Sequence, residues 1–154
     1  MTPAIDQLIK LGITYQIHEY THASSAVSYG MEAAQKMGVV SQRVFKTLVV
    51  DAGNKRLAVA VLPVDQQLNL KLMAKAIGAK KASMADPDEV SRSSGYVLGG
   101  VSPIGQKRGL TTVIDISAEA FESIYVSGGR RGLEIELAAR DLATVTEGQF
   151  AAIT

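Results

Sequence analysis

The sequence predicts a mixed α/β fold in which short helices surround a mixed, barrel-like β-sheet, and three features lead there. Helix-start and helix-stop residues are sharp at several points, and period-two hydrophobic runs lie between them. The two kinds of segment alternate without a regular βαβ spacing, which favours a mixed sheet over a doubly wound one. With 154 residues, 47% of them hydrophobic, the chain can bury one core, and a single domain spanning 1–154 is expected.

Each element has its own signal. Thr2 as N-cap, Pro3 at the first helical position, Ile5, Leu8 and Ile9 on one stripe and Gly12 beyond the end define a first helix. From Ile13 to Tyr20 the period changes to two, with Ile13, Tyr15 and Ile17 on one face and Gln16, His18 and Tyr20 on the other, which predicts a strand. Ser28 is expected to cap a short helix that turns Met31, Ala34 and Met37 inward and stops at Gly38. Val44–Asp51 and Arg56–Leu62 read as strands joined by a hairpin turn at Asp51-Ala-Gly-Asn54. A helix starts near Asn69, with Leu70, Met73, Ala74 and Ile77 on one side and Gly78 after it. Another starts at Asp86, with Pro87 first and Glu89 placed as in a capping box. Beyond it the pattern predicts a short strand at Tyr96–Leu98, a Gly-rich turn, and a strand at Thr111–Ile116. A helix capped by Ser117, strands near Tyr125 and at Leu133–Leu137, and a last helix capped by Asp141 complete the series.

Composition narrows the function. The chain has no cysteine, which removes disulfides, thiolate metal sites and a cysteine nucleophile and agrees with a reducing, cytoplasmic setting. The N-terminus lacks the apolar core of a signal peptide and no run of about 18 apolar residues occurs, so no membrane segment is expected. Sixteen Lys and Arg against 15 Asp and Glu leave a formal net charge of +1, too little to hold nucleic acid by bulk electrostatics. Basic groups at Lys71/Lys75, Lys80/Lys81, Lys107/Arg108 and Arg130/Arg131 are explained more commonly by solvated surface charge, with a role of positioning RNA at most.

Lys46 is the residue most in need of a reason. Strand alternation in Val44-Phe-Lys-Thr-Leu-Val-Val50 places it with Val44, Leu48 and Val50, so its ammonium is expected to be partly buried and to need a carboxylate or a polar ligand. The alternative is a lysine that snorkels from a sheet edge. Glu134 and Glu136 share the face opposite Leu133, Ile135 and Leu137, and either one of them reaches a cleft as a counter-charge or both face solvent. Gly99-Gly100-Val101-Ser102-Pro103 supplies flexible backbone amides suited to an oxyanion or a carboxylate, or is simply a turn. His18-Glu-Tyr-Thr-His22 matches the HExxH pattern of zinc peptidases. In an extended strand, however, its histidines stand about 13 Å apart, and no third histidine exists. No nucleophile elbow or Ser-His-Asp arrangement is present.

Taken together, these segments resemble the YbaK-type aminoacyl-tRNA editing family, specifically its Cys-tRNA(Pro) deacylase branch. The resemblance runs through Met1-Thr-Pro-Ala4, Gln16-Ile-His18, Val44-Phe-Lys-Thr-Leu48, Leu57-Ala-Val-Ala-Val61, Ala79-Lys-Lys-Ala82 and Met84-Ala-Asp-Pro87. It continues through Gly99-Gly-Val-Ser-Pro-Ile-Gly-Gln-Lys107, Tyr125-Val-Ser-Gly-Gly-Arg-Arg-Gly-Leu133 and Ile135-Glu-Leu-Ala-Ala139. It implies a fold like the editing domain of some prolyl-tRNA synthetases, no metal or other cofactor, and a cleft for the aminoacylated tRNA 3′ end. It also implies prolyl-tRNA synthetase as a partner. By resemblance Lys46, Gly100 and Val101 carry the chemistry, while Tyr20, Tyr29, Thr47, Ser102 and Glu134 line the pocket. In that branch the substrate's own thiol attacks its ester. Glu134 stands where the family usually has aspartate, which leaves cysteine, alanine and serine as possible specificities. A non-catalytic tRNA- or synthetase-binding module of the same fold and a zinc peptidase are the competing functions.

Overall fold

The computed structural model describes residues 1–23 and 29–154. The cap expected at Ser28 lies outside the described residues. Helix α1 (Pro3–Leu11) begins and ends as its sequence predicts: the Thr2 hydroxyl accepts from the Ile5 N–H and Gly12 closes the C-terminus. Strand β1 (Gln16–Glu19) is shorter than the run that predicts it, because Ile13 and Tyr15 pack on the core from the approach to the strand. Helix α2 (Tyr29–Met37) buries Ala33 and Ala34 and turns Met31 outward, since small side chains are what fit against Val44, Val64 and Tyr125.

Strands β2 (Phe45–Asp51) and β3 (Leu57–Pro63) form the expected hairpin, and the Asp51 carboxylate accepts from the Gly53 N–H in the turn. Helix α3 (Leu70–Ala76) is capped by Asn69, β4 (Ser83–Met84) returns to pair with β2, and α4 (Pro87–Ser94) is capped by Asp86. Glu89 bonds Arg92. The segment 96–98 is not a strand. The Tyr96 hydroxyl is drawn inward to the Ile104 carbonyl, at 2.6 Å, and the chain turns at once.

Strand β5 (Thr111–Asp115) leads into a 3-10 turn at Ile116–Ala120, whose cap is Asp115 rather than Ser117. Asp115 is buried and also accepts from the Ile153 N–H, so one carboxylate fixes both the turn and the C-terminal segment. Strands β6 (Ile124–Arg130) and β7 (Leu133–Leu137) form a hairpin. Helix α5 (Ala139–Thr146) starts after Ala138, with Asp141 in its first turn rather than at its cap. A final strand, β8 (Gln149–Ala151), has no separate signal in the sequence.

The mixed α/β architecture stands, but the sheet does not close into a barrel. Five strands run in the order β4-β2-β3-β5-β8, antiparallel at β2–β3 and parallel at β3–β5–β8, and three antiparallel strands run β1-β7-β6. One side of the larger sheet, with Val59, Val61 and Ile114, packs against Val126, Ile135 and Leu137 of the smaller one. The other side, with Ala58, Ala60 and Leu62, is covered by Met73 and Ile77.

The two sheets meet at one parallel bridge, Val44 to Tyr125. The outer edge of β2 is therefore shared: β6 touches it at its start, β4 pairs with Val50 and Asp51 at its end, and among the described residues no strand covers the stretch between.

Candidate active site

At that uncovered stretch lies a cavity of about 480 Å³, lined mostly by apolar side chains such as Phe45, Leu48, Val49 and Val90. The alternation that put Lys46 with Val44 also aligns it across the split. Two residues beyond the Val44–Tyr125 bridge are Lys46 on β2 and Ser127 on β6, and Ser127 is registered opposite Glu134 on β7. Lys46, Ser127 and Glu134 thus share one face and all three line the cavity, with Tyr20, Tyr29 and Thr47 around them.

Burial lowers the Lys46 ammonium below its ordinary pKa, and Asp65 acts in the opposite direction. Among the described residues Lys46 makes no ion pair within 4 Å. The partner expected from β7 is not supplied. Glu136 is committed to Ser123 (2.5 Å), His18 (2.9 Å) and Arg43 (3.4 Å), and the Ser123 bond leads in holding its carboxyl below the usual range. Glu134 is 6% exposed, and burial alone pushes its carboxyl up to about 8. It therefore keeps its proton at neutral pH over most of the population. Thr47 adds a buried Oγ1 with no hydrogen-bond partner among the described residues.

The Gly-rich turn divides into parts. Gly99 and Val101 line the cavity. The Gly100 N–H does not face it, being spent on the Val97 carbonyl at 3.0 Å, and Ser102 is fully buried, its Oγ accepting from the Ile104 N–H. Among the described residues the Val101 N–H meets no acceptor. Gly100 has a steric reason instead: a Cβ there would stand 2.6 Å from Arg130 Cα and 2.9 Å from Arg131 N, so the two turns touch through backbone.

Tyr29 roofs the mouth. Its ring lies over Gly99, where a Cβ would come within 3.1 Å of it, and the Arg131 guanidinium sits 4.4 Å from the ring centroid on the way to Glu32 at 3.0 Å. Glu32 in turn accepts from the Ala23 N–H at 2.6 Å; that bond first, then Arg131, hold its carboxyl below the usual range.

Six of the eight residues singled out in the sequence, Tyr20, Tyr29, Lys46, Thr47, Val101 and Glu134, thus meet at one cavity, and Gly100 and Ser102 support it from behind. Sequence reasoning missed Ser127 and Met84, which also line it. Ser127 could have been found from its place opposite Glu134, whereas β4 is too short to leave a pattern. Of the HExxH residues, His18 and Glu19 end β1 and the other three lie beyond it, with His18 tied to Glu136. Among the described residues no group of three or more His, Asp or Glu gathers as a metal site. A second cavity of about 410 Å³, with Gln7, Gln106 and Arg108 in its wall, holds none of the residues named for chemistry.

Comparison with known proteins bears on this site. The sequence model of the aminoacyl-tRNA editing domain matches residues 25–145. EbsC of Enterococcus faecalis, named as a Cys-tRNA(Pro)/Cys-tRNA(Cys) deacylase, is 38% identical over 92% of this chain and 86% of its own. ProXp-y of Escherichia coli, named as a multifunctional Ser/Thr-tRNA deacylase, is 30% identical over 59% of this chain and 55% of its own. The crystal structure of a protein described as a trans-editing enzyme for prolyl-tRNA synthetase superposes with a TM-score of 0.85. It covers 100% of this chain and 98% of its own at 22% identity, a likeness of fold.

Two outcomes are expected. Gly100→Ala should cost about 1–3 kcal/mol by overpacking two backbone segments, read as a fall in unfolding midpoint in urea. Glu134 should make stability pH-dependent. Between about 4.5 and about 8 the unfolded chain has lost this proton while the folded chain keeps it, so stability falls as pH rises, by at most about 1.4 kcal/mol per unit, and levels off above. Glu134→Gln should flatten that slope and leave a variant more stable than wild type at pH about 8; parallel slopes would contradict the burial.

Proposed function

The chain belongs to the aminoacyl-tRNA editing domain family, and from that premise we propose that it removes a wrong amino acid from tRNA in trans, with cysteine on tRNA(Pro) as its substrate. The observation that carries this reading is Lys46: a cation drawn partly out of water, without an ion pair among the described residues, in an otherwise apolar cavity. A charge that is not neutralised locally is free to stabilise charge that develops in a substrate.

The chemistry needs no nucleophile from the protein. The cysteinyl thiol attacks its own ester carbonyl, and an S–C bond forms as the C–O bond to ribose breaks. The thiol proton ends on the departing ribose oxygen, and the amino acid leaves as a thiolactone. The protein must hold thiol and carbonyl at reacting distance, a constraint able to supply several kcal/mol, and stabilise the oxyanion, where one donor contributes on the order of 3 kcal/mol. Lys46 and the Val101 N–H are the donors available, and Thr47 Oγ1 offers a further polar contact. Glu134, mostly protonated at neutral pH, has a proton to donate to the substrate and places no full negative charge beside the oxyanion.

Glu134 also bears on selectivity. It carries one methylene more than aspartate, and one methylene changes discrimination by only about 1–3 kcal/mol, so serine and alanine esters are the competitors to test. The name of ProXp-y favours including threonine. Action in the cytoplasm and a working complex with prolyl-tRNA synthetase complete the proposal. No helix among the described residues is long and apolar enough to cross a membrane.

The decisive assay follows ester loss from Cys-tRNA(Pro), Ser-tRNA and Ala-tRNA, with and without the synthetase. Wild type should act fastest on the cysteinyl ester, and Lys46→Ala should lose about 10²-fold or more in rate. Equal rates would remove Lys46 from the chemistry. Binding of charged tRNA with the ester left intact would make the protein a binding module.

A further inference from the structure

The four basic groups of the sequence are not equivalent in the fold. Arg130 and Arg131 are taken by Glu19 (3.1 Å) and Glu32 (3.0 Å). The Lys107/Arg108 pair belongs to the second cavity, where Arg108 forms part of the wall. Lys71, Lys75, Lys80 and Lys81 are exposed and, among the described residues, form no ion pair within 4 Å; Lys107 and Arg108 share both properties, so it is position that sets the four lysines apart. Between Asp65 and Asp86 the chain has these four lysines and no carboxylate, in a protein whose formal net charge is +1.

Their placement is directional. Lys71 and Lys75, four residues apart on α3, share its outward face, because Met73, Ala74 and Ile77 are buried. Lys80 and Lys81 follow where the chain leaves α3 for β4. Lys81 is three residues from Met84, at most about 11 Å along an extended chain, and Met84 lines the candidate active site. Positive charge on the outward face of α3 is thus followed along the chain by positive charge within reach of the cavity's lip at Met84.

We infer that this α3–β4 surface is the track along which the phosphodiester backbone of the acylated RNA reaches the cavity, an inference that rests on the proposed editing function. The lysines meet phosphates upstream of a terminal nucleotide seated against Met84 and Tyr29. They provide a local contact by non-specific charge, in line with a protein that is nearly neutral overall.

Binding of an unacylated tRNA(Pro) transcript, followed by fluorescence anisotropy at about 50 and about 200 mM salt, tests the surface apart from the chemistry. Three variants are compared: Lys71→Glu/Lys75→Glu, Lys80→Glu/Lys81→Glu, and Lys107→Glu/Arg108→Glu. The first two should each weaken binding about tenfold or more at the lower salt and flatten the log–log salt slope by about 1.5 to 2, the third by less than about twofold. Unchanged binding in the first two, or equal loss in the third, overturns the inference, as would an unchanged tRNA affinity accompanied by lost binding to prolyl-tRNA synthetase. Cleavage of 3′-cysteinyl-adenosine, too short to touch the track, should be unaffected in all three. Failure of wild type to cleave any ester would sink the editing proposal while the binding data still decide the track.

Discussion

The site exists because one strand edge is divided between two neighbours. β2 is paired along its whole length with β3, but its other edge belongs to β6 at Val44 and to β4 at Val50 and Asp51. Between those contacts the strand shows side chains, not a ladder, to the cavity. The divergence follows from packing: the smaller sheet leaves β2 to cover the Val59 and Ile114 side of the larger one, while β4 is held at the far end by the Ala85 N–H to Val49 carbonyl bond of 3.0 Å.

Polar groups that would be costly elsewhere are tolerated in this gap because water still reaches it. Lys46 sits partly desolvated with only Asp65 opposing the effect, and Glu134 answers its burial by keeping its proton. The groups that fix the rim are, by contrast, fully engaged. Arg131 spans Ala23, Glu32 and the Tyr29 ring, and Gly100 lets two turns touch. The division matches the usual arrangement of a reactive site, with satisfied supports around unsatisfied working groups.

Much of this was legible in the sequence where local chemistry decides the structure. The caps Thr2, Asn69 and Asp86 and the β2–β3 turn act over a few residues and appear as read. The alternation that set Lys46 on the face of Val44 was enough to bring it to the site. The errors arose where distant chain intervenes. Glu136, the other candidate on β7, is instead drawn to Ser123, His18 and Arg43. Tyr96 looked like strand until its hydroxyl found the Ile104 carbonyl, and the Gly100 amide looked free until Val97 claimed it. Strands β4 and β8, with two and three residues, are made by their partners.

The brevity of the uncovered edge also limits what can occupy it. An exposed strand normally invites another polypeptide to add itself as a further strand, the usual route to peptide capture and to aggregation. Here β6 stands at Val44 and β4 at Val50, so only the few residues between them are left for a guest to pair with. What the edge offers between its two neighbours is a short row of side chains and a cavity rather than the length of ladder that a paired strand needs.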